Sequence, residues 1–208
     1  MLALKTVSEF IDNVASDSPA PGGGSVAALA GALGAALTAM VCHLTIGKKK
    51  YEDVQTEMIG LLGQADELKA RLIILMDQDT EAFNRVMEAF GMPRSTDAEK
   101  EKRSTAIQEA TKQATLVPLE VMKLAERALT LAKSAAEKGN VNSISDAGVA
   151  GVMLKAACEG AALNVRINLA TLKDGRFVSE TRALLDAIAT NVEVLSDGLR
   201  KRVETVLS

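Results

Sequence analysis

Aromatic residues are almost absent from this sequence, which contains no Trp, one Tyr and four Phe among 208 residues. Strands of sandwiches and barrels are enriched in aromatic and β-branched side chains, so this scarcity disfavours an all-β fold. Cysteine occurs only twice, and Cys42 and Cys158 have neither CxxC nor Cys/His spacing. The sequence therefore predicts neither a disulfide framework nor a metal site, and we expect both thiols to be buried in apolar helices.

An excess of positive charge is also lacking. The net charge is −3, and charged residues make up 25% of the chain against 48% hydrophobic residues. This balance is typical of a folded soluble domain and lacks the basic footprint of a general nucleic-acid binder. The first residues, MLALKTVSEF, contain no basic segment followed by a long apolar one. We therefore expect a cytoplasmic protein without a cleaved leader.

One uncharged stretch, 25–46, is long enough to cross a bilayer. It consists mostly of Ala and Gly, has few large apolar side chains and includes the polar residues Thr38, His43 and Thr45. Small residues allow close helix packing in soluble cores as well as in membranes. The composition therefore favours a central buried helix, and we expect no membrane partner.

Apolar residues recur at helical spacing along most of the chain, and no segment has the alternation of a strand. The predicted helices cover 6–15, 25–46, 52–90, 95–138, 147–171 and 177–207. Their candidate capping residues are Thr6 or Ser8, Ser25, Ser95 or Thr96, and Ser145 or Asp146. Pro118 lies inside the fourth helix and is expected to kink it. The sequence thus predicts an all-α bundle of about six helices, several of them long, in a single domain over 1–208.

A carboxylate interrupts the apolar face of the third predicted helix. Residues at spacing 4-3-4-3-4-3 form this face: Leu68, Leu72, Leu75, Asp79, Ala82, Val86 and Ala89. Asp79 therefore occupies a position that the pattern reserves for a buried residue, whereas Asp77 and Glu81 point elsewhere. A buried carboxylate is costly unless it is paired or protonated, which makes Asp79 a candidate acid or base. The structural alternative is an Asp that bonds a neighbouring Arg or a helix terminus.

Other polar residues on apolar faces are more ambiguous. Asn164 and Asn168 are i, i+4 neighbours that face one way. They either contact a ligand or form a satisfied pair of hydrogen bonds to a neighbouring helix. His43 shares the apolar face of the second predicted helix and is the only histidine. A lone histidine there is more typical of a core or interface position than of a catalyst.

Two short segments suit an anionic ligand group. The loop PAPGGGS places Gly22, Gly23 and Gly24 before a helix start, where free N–H groups favour negative charge, although the segment is not a P-loop. Lys48, Lys49 and Lys50 form a cationic cluster near the end of the same helix. Glycine-rich turns are common, and lysines near a helix C-terminus also suit the helix dipole, so each signal has a purely structural alternative.

Five segments in order resemble one family of folate enzymes. They are SDSPAPGGGSVAALAGALGAAL (16–37), LTIGKKKY (44–51), DQDTEAF (77–83), GNVNSISDAGVA (139–150) and GAALNVRINL (160–169). The chain is similar over nearly its whole length to the C-terminal part of formiminotransferase-cyclodeaminases. That family includes formimidoyltetrahydrofolate cyclodeaminases and stand-alone methenyltetrahydrofolate cyclohydrolases. The resemblance implies an all-helical, homodimeric enzyme.

The resemblance also implies a set of site residues. Asp79, the second Asp of DQDTEAF, matches the position taken as catalytic in that family. The remaining matched positions are expected to bind substrate: Gly22, Gly23, Gly24, Ser25, Lys48, Lys49, Lys50, Asn140, Ser145, Asp146, Asn164 and Asn168. The implied substrate is a tetrahydrofolate derivative, which can carry a polyglutamate tail, and no tightly bound cofactor is expected. With few aromatic residues, the pterin is expected to pack mainly on aliphatic groups, with Tyr51 as an exception.

Two activities follow from this resemblance. The absence of a fused transferase domain favours the cyclohydrolase, which hydrolyses 5,10-methenyltetrahydrofolate to 10-formyltetrahydrofolate. The alternative is the cyclodeaminase, which releases ammonia from the formimino compound. A further alternative is a folate-binding helical dimer without turnover.

Overall fold

Helices account for nearly the whole chain in the structure, a computed structural model that describes residues 1–208. The six α-helices are α1 (Val7–Val14), α2 (Gly23–Thr45), α3 (Gln55–Phe90), α4 (Asp97–Lys138), α5 (Ile144–Leu169) and α6 (Gly175–Leu207). Three short 3₁₀ segments cover Leu2–Leu4, Lys49–Val54 and Val141–Ser143. There is no strand, so the predicted all-α bundle of about six helices is confirmed.

The long helices pack around α2. Contacts run from α2 to α3, α4 and α5, while α6 packs against α4 and α5. Gly31 lies against Leu72 of α3 and Ala157 of α5, and Gly34 lies against Leu154 of α5. The small residues of α2 thus let its neighbours approach closely, around a continuous core of 40 buried residues. Helices α3 and α5 both run antiparallel to α2. The start of α2 therefore meets the later turns of these two helices.

Two of the predicted helix starts are confirmed in detail. Thr6 and Thr96 each form a capping box, with Glu9 and Glu99 respectively as the reciprocal partner. Ser25 was predicted to cap α2, and this is wrong, because Gly22 is the capping residue and the Ser25 hydroxyl turns inward.

The predicted start of α5 was also wrong. Ser145 or Asp146 was expected to cap this helix, but it begins earlier, at Ile144, because a 3₁₀ turn capped by Asn140 leads directly into it. In α4, the helix continues through Pro118 without interruption to Lys138.

The uncharged helix α2 is long and apolar enough to cross a membrane, with a mean hydropathy of 1.9. In the structure 61% of that window is buried inside the protein. This is the position of the central helix of a soluble bundle, as its small residues predicted. The thiols of Cys42 and Cys158 are likewise buried, and burial raises their pKa to about 11 and about 12, which keeps them protonated.

Candidate active site

The start of α2 faces Asp79, which lies in the last third of α3. The Ser25 hydroxyl lies 2.9 Å from the Met76 carbonyl oxygen and 3.0 Å from Oδ2 of Asp79. Ser25 is fully buried and Asp79 is partly buried. The residue that interrupts the apolar face of α3 is therefore held by a hydroxyl from the glycine-rich helix start.

Gly24 allows this close approach. A Cβ atom built at Gly24 would lie only 2.5 Å from the carboxyl carbon of Asp79, which no real Cβ tolerates. Gly22, by contrast, begins the helix in an extended conformation and leaves the first N–H groups of α2 without intrahelical partners. The glycine run thus serves two purposes: it makes room for a carboxylate and it presents backbone donors beside it.

Burial raises the pKa of Asp79 above its ordinary value of 3.8, while hydrogen bonding from the Ser25 side chain and backbone acts in the opposite direction. The Ser25 hydroxyl has one proton and three oxygens within reach, because Thr80 Oγ1 also lies 3.3 Å away. When Asp79 is ionised, Ser25 can donate to the carboxylate; when Asp79 is protonated, the acid can donate to Ser25, which then donates to Met76. Both protonation states have a hydrogen-bonded arrangement, which is what a group that takes up and returns a proton needs.

Asp79 opens into a cleft of about 340 Å³ between α2, α3, α4 and α5. Its polar positions include Asp79, Asn164 and Asn168, and the three glycines of the α2 start also line it. Its apolar wall comprises Phe83, Val86, Phe90 and Ile167. The size and the mixture of apolar walls with a few polar groups are those of a small-molecule site.

Both phenylalanines were missed in the sequence analysis. Phe83 and Phe90 line the cleft, whereas Tyr51, which was expected to pack on the ligand, lies at the other end of α2. A signal was present in the sequence, because positions 79, 83, 86 and 90 continue at the same 4-3-4 spacing along one face of α3.

The two asparagines of α5, Asn164 and Asn168, line the cleft, and their binding of substrate stays a prediction. The Nδ2 of Asn164 donates to the Gly160 carbonyl at 2.9 Å, and the Nδ2 of Asn168 donates to the Ala114 carbonyl at 3.1 Å. In each side chain one of the two amide N–H donors is therefore engaged by backbone, which fixes the amide and leaves Oδ1 and the second N–H for a ligand. Ligand groups that donate to Oδ1 would complement this wall of the cleft.

The remaining predicted site residues form a second group at the opposite end of α2. Lys48, Lys49 and Lys50 follow the last turn of α2, and all three are exposed. A helix of 23 residues is about 34 Å long at 1.5 Å per residue, so one chain does not bring this lysine turn to Asp79.

Asn140, Ser145 and Asp146 lie at this far end as well. Asn140 is buried; its backbone N–H donates to Thr45 Oγ1 at 2.8 Å and its Nδ2 donates to the Leu44 carbonyl at 2.9 Å. Ser145 and Asp146 belong to the first turn of α5, beside Asn140 and away from the cleft. Within one chain, the two hydrogen bonds of Asn140 tie the end of α2 to the turn that precedes α5.

His43 is exposed in the last turn of α2 and lies in this far half of the helix. It therefore lies far from Asp79; the exposed side chain does not occupy a core position, and an interface position stays a prediction.

Fold and site together describe an all-helical protein with a half-buried carboxylate in a cleft of small-molecule size. Comparison with known proteins gives the family. Residues 6–187 match the family model of the formiminotransferase-cyclodeaminases. The chain is also 42% identical over 205 residues to a methenyltetrahydrofolate cyclohydrolase of Methylorubrum extorquens, covering 99% of both chains. The chain belongs to the formiminotransferase-cyclodeaminase family, which confirms the predicted resemblance.

Two further similar proteins are a longer relative and a protein of known structure. The chain is 37% identical to the formimidoyltransferase-cyclodeaminase of Gallus gallus, where the match covers 88% of this chain and only 34% of that protein. The fold matches the crystal structure of a formiminotetrahydrofolate cyclodeaminase of Thermotoga maritima with a TM-score of 0.91, 31% identity and full coverage of both chains.

Proposed function

We propose that this protein is a methenyltetrahydrofolate cyclohydrolase that hydrolyses 5,10-methenyltetrahydrofolate to 10-formyltetrahydrofolate. The observation that carries this proposal is Asp79, a carboxylate of raised pKa in an apolar cleft, held by the Ser25 hydroxyl. The full-length relative in Methylorubrum extorquens, which bears that name, supports the same activity.

The reaction requires three proton transfers, two through Asp79 and one to solvent. The substrate is an amidinium cation in which one carbon bridges N5 and N10. Asp79 removes a proton from water as the oxygen attacks this carbon, which gives a tetrahedral adduct. The protonated acid then donates to N5 as the bond from carbon to N5 breaks, and the remaining hydroxyl proton leaves to solvent. The formyl group remains on N10, and one carboxylate serves as base and acid in turn.

Ionised Asp79 also stabilises the positive charge of the bound substrate, because the cleft is partly shielded from water. The aromatic rings of Phe83 and Phe90 offer an apolar surface for the flat pterin and benzoyl rings. Oδ1 of Asn164 and Oδ1 of Asn168 can accept from the N–H groups of the pterin. All of these groups belong to the protein, and the proposal requires no tightly bound cofactor.

The cyclodeaminase reaction is the second candidate. It is favoured by the 0.91 TM-score to the Thermotoga maritima cyclodeaminase, a stand-alone chain of matching extent. In that reaction N10 attacks the formimino carbon on N5 and ammonia leaves, so Asp79 would accept a proton from N10 and donate one to the leaving nitrogen. The same cleft serves both reactions because both pass through a tetrahedral carbon between N5 and N10.

One experiment separates these activities. Purified protein is incubated with methenyltetrahydrofolate, and the methenyl absorbance is followed; formiminotetrahydrofolate is tested in parallel with an ammonia assay. Loss of the methenyl band above the spontaneous rate supports the cyclohydrolase. Appearance of that band together with ammonia supports the cyclodeaminase instead. If neither substrate is turned over but folate raises the melting temperature, the protein binds folate without catalysis.

The proposed setting is the cytoplasm, and the proposed assembly is a homodimer. The substrate-binding role predicted for Lys48, Lys49, Lys50, Asn140, Ser145 and Asp146 remains a prediction. If the lysines contact substrate, they must do so from a neighbouring subunit, because the end of α2 is remote from Asp79 in the same chain.

A further inference from the structure

The proposed hydrolysis releases one proton in each turnover. Water brings two hydrogens to the bridging carbon; one ends on N5, and the other must leave because the product is a neutral amide at this carbon. Asp79 is the only residue with an ionisable side chain among those that line the cleft. A folate that fills the cleft of about 340 Å³ also displaces the water that could take the proton. A second route from Asp79 to solvent would therefore serve the reaction.

Two hydroxyl groups lead away from Asp79 into the protein. Ser25 Oγ lies 3.0 Å from Asp79 Oδ2 and 3.3 Å from Thr80 Oγ1. Ser25 is fully buried, whereas Thr80 is partly exposed and is not among the residues that line the cleft. The three side chains thus connect the cleft, through the interior, to a surface outside it.

The hydroxyl of Thr80 is directed differently from those of other helical threonines. Thr38 and Thr115 each donate to the carbonyl four residues earlier, at 3.0 and 2.7 Å respectively. The equivalent carbonyl for Thr80 belongs to Met76, and it accepts from Ser25 at 2.9 Å. Thr80 contacts the Ser25 hydroxyl instead. The Thr80 proton is therefore not held by the backbone of α3 and can be passed on.

A hydroxyl group can accept a proton and release its own, since it carries one donor hydrogen and two lone pairs. The Met76 carbonyl can only accept, so it holds Ser25 Oγ beside both neighbours and contributes no proton. Rotation about one bond turns the Ser25 hydrogen from Met76 to Thr80. The geometry thus suits transfer from Asp79 to Ser25 and from Ser25 to Thr80.

We infer that Asp79, Ser25 and Thr80 form a relay that carries the proton released by hydrolysis to solvent while the substrate fills the cleft. The inference rests on the proposed function, because that reaction produces the proton. Ser25 and Thr80 act through Asp79 as positioning residues, and the relay does not require either of them to touch the substrate.

The relay begins when the bond from carbon to N5 has broken and Asp79 is ionised. Asp79 accepts the remaining hydroxyl proton, which leaves a formyl C=O on N10. Asp79 then donates this proton to Ser25 Oγ as the Ser25 proton passes to Thr80 Oγ1 and the Thr80 proton passes to water. One proton enters the relay and one leaves it, so Asp79 is ionised again for the next water molecule.

Thr80→Val tests the relay, because valine has the shape of threonine without the hydroxyl. We expect kcat for methenyltetrahydrofolate to fall by roughly tenfold with KM unchanged, since residual water in the cleft still takes the proton, but more slowly. Thr80→Ser retains a hydroxyl and should keep the unmodified rate. The matched control is Thr130→Val in α4, because Thr130 is exposed and its hydroxyl donates to the Glu126 carbonyl at 3.2 Å.

Proton release also has a readout that a change of packing does not share. When release limits turnover, replacing H₂O by D₂O should lower kcat more for Thr80→Val than for the unmodified protein. Added imidazole should raise the rate of the variant above the spontaneous rate, because a small base can take the proton in place of the relay. Equal isotope effects in the two proteins would overturn the inference.

A double variant tests whether the two hydroxyls act in one chain. Ser25→Ala interrupts the relay before Thr80, so the addition of Thr80→Val should cause no further loss of kcat. Circular dichroism checks that Ser25→Ala, a change in the core, retains its helices. Losses that multiply would show that Thr80 acts independently of Ser25 and would overturn the inference.

The outcomes separate the relay from the proposed function. An unmodified protein that does not hydrolyse methenyltetrahydrofolate refutes both, because no proton is then released. An active protein whose Thr80→Val variant keeps the unmodified kcat, or changes KM alone, refutes the relay and leaves the proposed function standing. Slow turnover of Thr80→Val that is shared by Thr80→Ser also refutes the relay.

Discussion

The two ends of α2 use polar side chains in opposite ways. At the far end, Thr45 and Asn140 are saturated: Asn140 engages its backbone N–H, its Nδ2 and its Oδ1, and Thr45 both accepts and donates. At the near end, where α2 begins beside Asp79, Asn164 and Asn168 each leave Oδ1 open to the cleft. The Ser25 hydroxyl there has one proton and more than one acceptor within reach. Saturated polar groups hold a structure together, whereas unsaturated ones are available to a ligand.

The largest expected effect is the loss of turnover when Asp79 is changed. Asp79→Asn removes the group that accepts and returns the proton, so kcat should fall by roughly 10²–10⁴-fold. The fold should remain intact, because Asn can still hydrogen-bond to Ser25. The methenyl absorbance assay and a thermal melt measure the two effects, and turnover within a factor of a few of the unmodified enzyme would contradict the assignment.

The second effect tests the close approach of Gly24, at the start of α2, to the Asp79 carboxylate. Gly24→Ala places a methyl group against the Asp79 carboxylate, so the carboxylate must move and turnover should fall roughly 10²-fold. Gly63→Ala in α3 is the matched control, because a Cβ there meets nothing within 4 Å. We expect the control to retain its rate and to gain about 0.5–1 kcal/mol of stability. Equal rates for both variants would show that the contact does not position Asp79.

At the far end of α2 we expect a substitution to lower stability and not turnover. Thr45→Val removes the acceptor of the Asn140 N–H group and leaves a buried donor unpaired, so the free energy of unfolding should fall by about 1–3 kcal/mol. Denaturant unfolding measures this loss. A variant of unchanged stability would show that the far end does not depend on its hydrogen bonds.

The smallest effect concerns pH. Burial raises the folded-state pKa of Asp79, so its contribution to stability is fully present below the unfolded value of 3.8 and is lost as the pH rises through the folded value. Asp79→Asn should therefore melt a few degrees above the unmodified protein at neutral pH, and this difference should vanish near pH 4. A difference that is constant with pH would contradict a raised pKa.

Much of this comparison could be predicted from the sequence. The 4-3 spacing along α3 located Asp79 on a buried face, and the small residues of α2 indicated a close-packed central helix, whereas the glycine run indicated only a site for an anionic group. The sequence could not predict that the family segments divide between the two ends of α2. Their order along the chain says nothing about which helix ends meet in space. Ser25 was assigned to a cap for a related reason: a serine at a helix start usually bonds its own backbone, and only the packing of α3 turns it towards Asp79.

The proline within α4 has a consequence at the cleft wall. A helical residue at position 118 would normally donate its N–H to the Ala114 carbonyl, but Pro118 has no N–H to donate. The oxygen that receives the Asn168 amide at 3.1 Å is this same carbonyl. A missing donor in one helix thus selects the amide orientation of a side chain on another. Restoring the donor with Pro118→Ala would give the Ala114 oxygen a second donor, so the Asn168 amide would be held less firmly and its Oδ1 would be a less fixed acceptor although the helix had been repaired.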